Sequence, residues 1–395
     1  MSRPRISALS LCFGILFAAG PGLAAGPASS APPLLERIKA VSREGEGNVE
    51  AAKAWKELVQ IGPRALIDIL VALDDADPEA ANWLRSAVDA IAERALAANR
   101  PLPAAKLEAF VKDTGHSGGA RRLAYEWLTR VDTGAPSRLL PGMLHDPGSE
   151  LRRDAVAMAI RDAQKLLERG EKNTARDAFR KTFAAARDKD QVDLLAKELK
   201  PLGVEVNLVA HFGFIQKWLL IGPFDNSAGS GFAKTLPPEK RIELSERLEG
   251  KKGMPLRWSE HTTTDPYGTV DLNKALGKHM GVIGYGYAAV ESPSERPVEL
   301  RATSNNAVKI FLNGREIFFR EEYHHGMRMD QHVGKAKLKA GRNEILIKVC
   351  QNEQKEDWAQ NWSFQLRVCD ALGGAVPLKL LAEKPTARPV EGGGQ

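Results

Sequence analysis

Cysteine is nearly absent from this 395-residue chain: three occur, at Cys12, Cys350 and Cys369. That is too few for a disulfide framework, and no Cys-x-x-Cys pair exists to grip zinc or run redox chemistry. The sequence also lacks a P-loop and a His-Glu-x-x-His helix. Those motifs would announce phosphate chemistry and metalloproteolysis. Charge of one sign is not concentrated anywhere. The formal net charge is +6, with Lys, Arg, Asp and Glu interspersed, whereas a nucleic-acid surface requires a clustered basic face.

A membrane span is missing as well. The longest apolar run, residues 6–19, is broken by Gly20, Pro21 and Gly22 and falls short of the ~20 residues a span needs. It follows Arg3 and Arg5 and precedes small residues at Gly22 and Ala24, which is the pattern of a cleavable signal peptide over residues 1–24. Leu11 is too large for a lipoprotein box at Cys12, so no lipid anchor is expected. Export to a periplasmic or extracellular space follows, and loss of Arg3 and Arg5 would take the formal charge from +6 to +4. Export would permit a Cys350–Cys369 disulfide. If the runs "EILIKVC" and "SFQLRVC" pair as a simple hairpin, however, the sulfurs lie about 20 Å apart at ~3.3 Å per strand residue.

What is present divides into two textures. Residues 54–91, "AWKELVQIGPRALIDILVALDDADPEAANWLRSAVDAI", match residues 124–160, "AYEWLTRVDTGAPSRLLPGMLHDPGSELRRDAVAMAI". Each has a helix ending near Gly, a Pro opening a second helix, an Asp turn, and Arg-x-Ala-Val on a third; Arg85, Ala87 and Val88 correspond to Arg153, Ala155 and Val156. One helix pair cannot bury its apolar face, so such units stack, with Ala allowing close approach and Arg reaching turn Asp residues. The pattern resembles HEAT repeats over residues 34–166, after a short linker at 25–33. The resemblance implies an α-solenoid with a protein-binding surface. Residues 167–203 add a helical hairpin ended by Pro201 and Gly203. Trp55, Trp83 and Trp127 fall at apolar helical positions and are expected in the core, with Arg85, Arg152 and Arg153 structural.

From residue 204 to 383 the texture is of short β-rich runs separated by Gly, Pro, Asn and Asp, as in an antiparallel β-sandwich or jelly roll. The run "IFLNGREIFF", residues 310–319, is a hairpin about Asn313-Gly314, read here as an inner element of that scaffold. "GVIGYGY", residues 281–287, lacks the strand, turn and helix order of a dinucleotide site and reads as a flexible entry to a strand. The combination of "WLLIGPFDN", "SNNAVKIFLNGREIF" and "LKAGRNEILIKVCQ" resembles the galactose-binding-like jelly-roll domains that accompany secreted glycan-degrading enzymes and large exported bacterial proteins. The resemblance implies a carbohydrate-binding role. Related lectin-like sandwiches often carry an Asp-Asp pair before the "LNG" hairpin, holding Ca²⁺ and sugar hydroxyls. Asn305 and Asn306 stand there in this chain, and without carboxylate charge a Ca²⁺ site weakens, leaving a polar turn as the plainer reading.

The densest polar group is "REEYHHGMRMDQHV". His324, His325, Asp330 and His332 could ligate Zn²⁺, although adjacent His residues point to opposite sides of an extended chain and the spacing fits no ligand template. Glu321, Glu322 and Asp330 are the carboxyl groups from which a glycosidase pair could come. Sugar sites cover the apolar face of a pyranose with an aromatic ring. Of Trp258, Tyr267, Tyr285, Tyr287, Tyr323, Trp358 and Trp362, Trp358 in the polar run "QNEQKEDWAQNW" is the best exposed candidate, with Tyr323 beside the histidine cluster; Trp218 and Trp362 lie in strand-like runs and read as core.

The reading is therefore an exported, non-catalytic binding protein: a helical solenoid for a protein partner, and a β-sandwich for a glycan, with Trp358, Tyr323, Asn305 and Asn306 as candidate ligand residues. No cofactor is implied beyond the Ca²⁺ or Zn²⁺ possibilities. Two alternatives stay open: an envelope assembly protein binding only proteins, and a hydrolase with its site near residues 324–332. Residues 204–215 are too apolar for a free linker and are expected to pack against both the last helical pair and the first strand, anchored by Phe212 and Phe214. Residues 384–395 read as a disordered tail.

Overall fold

In a computed structural model that describes residues 31–383, the first half of the chain is helical and the second half is built of antiparallel sheets. The expected leader, most of the linker after it and the tail at 384–395 lie outside the described residues. The chain divides into two compact units, Met1–Thr133 and Gly134–Gln395. The boundary expected at residue 203 falls inside the second of these.

The described part of the first unit holds α1 (Ala31–Lys39), α2 (Asn48–Ile61), α3 (Leu66–Ala72), α4 (Pro78–Ala97), α5 (Ala104–Lys112) and α6 (Gly118–Val131). Gly62, at φ 75°, ends α2 where a side chain would be strained, and Pro78 opens α4 at a position with no helical N–H to lose. Indole N–H groups tie the helices together. Trp55 donates to Ser86 Oγ at 3.0 Å, Trp83 to Asn48 Oδ1 at 3.2 Å and Trp127 to Asp89 Oδ1 at 2.8 Å. Only Trp127 is fully buried; Trp55 and Trp83 are half-buried stays between α2 and α4.

The second unit opens with α7 (Ala135–Leu139), α8 (Ser149–Glu168), α9 (Lys172–Ala185) and α10 (Lys189–Leu199), followed by the short α11 (Leu208–Phe212). The internal repeat is visible in helix lengths: α2, α3 and α4 have 14, 7 and 20 residues, and α6, α7 and α8 have 14, 5 and 20. Its second copy straddles the break at Thr133 and Gly134. The repeat arginines act as structural ties: Arg152 Nη1 donates to Asp146 O at 2.7 Å, and Arg153 grips Asp190 at 2.8 and 2.5 Å. Arg85 is exposed.

The strands follow: β1 (Lys217–Asp225), then α12 (Pro237–Lys240), β2 (Leu248–Glu249), β3 (Pro255–Leu256), β4 (Ser259–Thr262), β5 (Val270–Asp271), α13 (Leu272–Leu276), β6 (Val282–Ser292), β7 (Arg296–Thr303), β8 (Ala307–Leu312), β9 (Arg315–Arg320), β10 (His332–Leu338), β11 (Gly341–Gln351), β12 (Ser363–Cys369) and β13 (Lys379–Leu380). One sheet runs β4-β1-β6-β11-β8-β9 with β13 also on β6, a second runs β10-β7-β12-β5, and β2 pairs with β3. Trp218, Ile310, Ile347 and Val349 from the first sheet share a buried cluster with Leu300, Leu338, Phe364 and Leu366 from the second. The opposite face of the first sheet is also covered, by Phe232, Leu256 and Trp258 over Tyr285, Tyr287 and Leu346. Strands β6 and β11 are therefore central and buried on both faces, which explains their long apolar runs.

Two expectations change here. "GVIGYGY" is the start of β6, a central strand and not a flexible entry. Its glycines make room for aromatics of the facing sheet: a Cβ on Gly284 would lie 2.7 Å from Trp362 Cζ2, and one on Gly286 2.7 Å from Phe364 Cζ. The Asn313-Gly314 turn is present with both φ angles positive, 53° and 78°, the conformation a two-residue hairpin prefers. But β9 is the edge of its sheet, and Phe319 on it is 64% exposed. The two cysteine strands do not pair with each other. Strand β11 lies between β6 and β8 and β12 between β7 and β5, and both thiols are buried and free.

The joint at residues 204–215 packs as expected on the helices, with Phe212 and Phe214 buried in a cluster with Val156, Phe179, Val192 and Leu195. It meets the first strand as well, where Trp218 Nε1 donates to Ile215 O at 2.9 Å, and it also docks on β12: Phe214 bridges Arg367, and the Ile215 N–H donates to Leu366 O at 3.0 Å.

The contact between Gly286 and Phe364 gives a test of the face-to-face sheets. Gly286→Ala should lower stability by about 1–3 kcal/mol in urea unfolding, and an unchanged midpoint would show that these faces are not in register.

Candidate functional site

The candidate residues lie on three segments at one end of the sheets: residues 304–306 between β7 and β8, residues 321–331 between β9 and β10, and residues 352–362 between β11 and β12. The last of these is pinned by side-chain amides. Asn306 Nδ2 donates to Asn361 O at 3.0 Å, Gln351 Nε2 to Gln360 O at 3.0 Å, and Asn273 Nδ2 to Gln360 O at 2.8 Å. Ala359 is buried as a plug, while its neighbour Trp358 is 58% exposed.

Trp358 stands edge-on to His324, with ring centroids 5.2 Å apart and planes at 88°. His324 is held in turn. Asn352 Oδ1 accepts from the Gln354 N–H at 3.1 Å and lies 2.7 Å from His324 Nε2, so Nε2 carries the proton. The Tyr323 ring lies 6.3 Å from His324, and its hydroxyl accepts from Asn226 Nδ2 at 3.2 Å. Burial, first, pushes the Tyr323 phenol up to about 12, so it stays neutral. Asn226 is fully buried and also donates to Gln351 O at 3.0 Å, fastening the end of β1 to this corner.

Asn305 and Asn306 do not face outward as a pair. Asn306 is completely buried, and its Oδ1 accepts from the Ser363 N–H at 3.3 Å; it is a brace. Asn305 is nearly buried and its Oδ1 has no hydrogen-bond partner. The other aromatic candidates are structural. Trp258, Tyr285, Tyr287 and Trp362 are buried in the sheet cores. Tyr267 donates to Asp193 on α10 and lies under Lys189 Nζ.

The four candidate metal ligands separate. Asp330 is turned away, with Oδ1 and Oδ2 accepting from Arg367 Nε and Nη2 at 2.7 and 2.5 Å and Oδ2 from Arg301 Nη1 at 2.9 Å. Burial pushes its carboxyl up, but the two guanidiniums outweigh burial and hold it below the usual carboxylate range. His324 faces Trp358, while His325 and His332 meet with ring centroids 5.4 Å apart. Among the described residues no three His, Cys, Asp or Glu side chains group as a metal site. Of the three carboxylates expected near a hydrolytic centre, two are engaged, Glu322 by Arg320 and Asp330 as above, while Glu321 is exposed.

Two buried charged groups escaped the sequence reading. Arg367 is 1% exposed and, besides Asp330, donates to Phe212 O at 3.0 Å and Gly373 O at 2.9 Å. Lys348, in the middle of β11, is wholly buried and donates to Phe232 O, Lys234 O and Glu239 Oε1 at 3.0, 2.8 and 2.8 Å. A charged letter inside an apolar strand was the available signal in both cases.

No protein-family model matches the chain, and no curated protein matches it. Solved structures with some likeness include a beta-glucosidase from Kluyveromyces marxianus in complex with glucose, at 11% identity and a TM-score of 0.24 over 39% of this chain and 16% of that one. A beta-glucuronidase from an uncultured Clostridium sp. matches at 14% identity and 0.23 over 40% of this chain and 29% of that one. A family 35 carbohydrate-binding module from an environmental isolate matches at 13% and 0.16 over 28% of this chain and 75% of its own. Scores this low leave the chemistry of the site to its own residues.

Two consequences can be measured. Arg367→Met should destabilise the protein by about 3–5 kcal/mol, because Asp330 would keep its burial and lose its principal partner; a change below 1 kcal/mol would contradict the described network. Burial, together with His325, pushes His332 down to about 4, and burial does the same to His211, against about 6.5 in an unfolded chain. The unfolded chain thus takes up protons that the folded chain refuses. The stability from these rings is complete above about pH 6.5 and lost as pH falls towards 4, on the order of 1–3 kcal/mol for each ring. Urea midpoints should decline over that window and decline less in His332→Gln; a flat profile would contradict the burial.

Proposed function

We propose that residues 204–383 form a non-catalytic carbohydrate-binding β-sandwich of an exported protein, and that its ligand lies on Trp358. The observation that carries this reading is an exposed indole on a loop pinned at both ends. An aromatic face held in this way covers the apolar face of a sugar ring at small entropic cost, since binding has little left to order. Hydroxyls around the ring need donors and acceptors, and exposed Gln354, Lys355, Glu356 and Asp357 flank the indole on the same turn. Tyr323 and His324 form the fixed wall behind it. The non-catalytic part of the reading is supported by the engagement of Glu322 and Asp330 with arginines, which occupies two of the carboxyl groups a glycosidase pair would draw on.

Glycan-array binding of the full-length protein tests this. Trp358→Ala should weaken any glycan signal about ten-fold or more while leaving the melting temperature unchanged. Equal binding by the variant, or no glycan bound by the parent protein, would sink the proposal.

A further inference from the structure

Six of the nine buried side-chain nitrogen or oxygen atoms that lack a hydrogen-bond partner among the described residues belong to Asn305, His324, His325, His332 and Gln351. Buried polar groups are ordinarily satisfied, so a concentration of exceptions at one end of a sheet needs a reason. On one side of this corner lies a cavity of about 390 Å³ lined by Arg320, His325, Arg328, Gln331 and His332, with Gly326 and Met327. Its side chains include two guanidiniums and two imidazoles, and no acidic side chain lines it.

The hydrogen bonds settle which way the donors face. Gln331 Oε1 accepts from the Arg328 N–H at 2.8 Å, so its Nε2 is the donor to Ser304 O at 2.9 Å and to His325 Nδ1 at 2.8 Å. Neutral His325 therefore carries its proton on Nε2, and that N–H is buried and unpartnered. His332 is 1% exposed, and neither of its ring nitrogens has a partner. Arg320 is neutralised by Glu322, whereas the exposed Arg328 side chain has no partner among the described residues. The acidic residue nearest in the chain, Asp330, faces Arg301 and Arg367.

We propose that this cavity is an oxyanion site, taking a carboxylate or a sulfate ester through the His325 Nε2–H, a His332 N–H and the Arg328 guanidinium. Charge-assisted bonds from a planar guanidinium and imidazole N–H groups suit an acceptor with several oxygens. Because His324 and His325 are consecutive and face Trp358 and the cavity respectively, an anionic sugar could reach both. That extension rests on the carbohydrate reading; the oxyanion site itself does not.

Isothermal titration with sodium sulfate, exchanged against sodium chloride at constant ionic strength to hold screening fixed, tests the site. Saturable binding is expected, with the side-chain ¹⁵N signals of His325 and His332 moving. Arg328→Gln, at an exposed and unpartnered side chain that the fold does not use, should weaken it at least about ten-fold. Trp358→Ala should leave it unchanged. Absence of saturable binding, equal binding by Arg328→Gln, or unmoved histidine signals would overturn the proposal. A parallel titration with sodium glucuronate separates the sources: weakening by both Trp358→Ala and Arg328→Gln assigns the oxyanion to a sugar, and weakening by Arg328→Gln alone assigns it to a free ion. Sulfate binding in a protein that binds no glycan would defeat the carbohydrate reading and leave this one standing.

Discussion

One buried guanidinium, that of Arg367, organises the second unit. It leaves β12 on the face away from the sheet core and bonds four chain segments together: its own strand, Phe212 in the joint, Gly373 in the turn after β12, and Asp330 in the loop between β9 and β10. Burying an arginine without partners would be prohibitive. Burying it in a bidentate pair with two carbonyl acceptors satisfies the charge and fixes geometry at once, since a planar fork accepts few arrangements. Arg301 on the neighbouring β7 shares the same carboxylate, so the network crosses two strands of one sheet.

That constraint accounts for where the chain divides. Composition changes from helical to β-rich near residue 204, yet α8, α9 and α10 pack into one cluster with Phe212 and Phe214. Those residues are in turn bonded to β12 by backbone and by Arg367. The polypeptide switches secondary structure at one place and switches compact unit at another, because secondary structure follows local periodicity while compactness follows long-range contacts.

The same distinction separates what the sequence discloses from what it conceals. Helix order, the repeated helix lengths, the Asn313-Gly314 turn and most strands are legible, since each rests on residues within a few positions of one another. The assignment of β11 and β12 to different sheets is not: both are apolar runs ending in Cys, and nothing local says that the first pairs with β6 and the second with β7. Asp330 and Arg367 are 37 residues apart, and their pairing has no periodic signature. The unbroken apolar stretch of β6 looked like a loose entry because its glycines suggested flexibility, whereas the facing Trp362 and Phe364 rings occupy the space those glycines leave.

The candidate site shows the same split on a smaller scale. Trp358 is legible because an indole in a run of amides and charges has no apolar neighbours to bury against. Asn306 was not, because a buried brace and a ligand-facing amide are the same letter; its burial and its bonds to Asn361 O and from the Ser363 N–H distinguish them. Asp330 reads as one of a cluster of metal-ligating or catalytic groups until its arginines are seen. Once it is committed to Arg367 and Arg301, the loop it anchors cannot present that carboxylate, and what remains on the other side of the loop is a set of donors. The loop is thus polarised by its anchor: acceptor oxygens turned inward to hold the fold, and the imidazoles and Arg328 left to face whatever the corner receives.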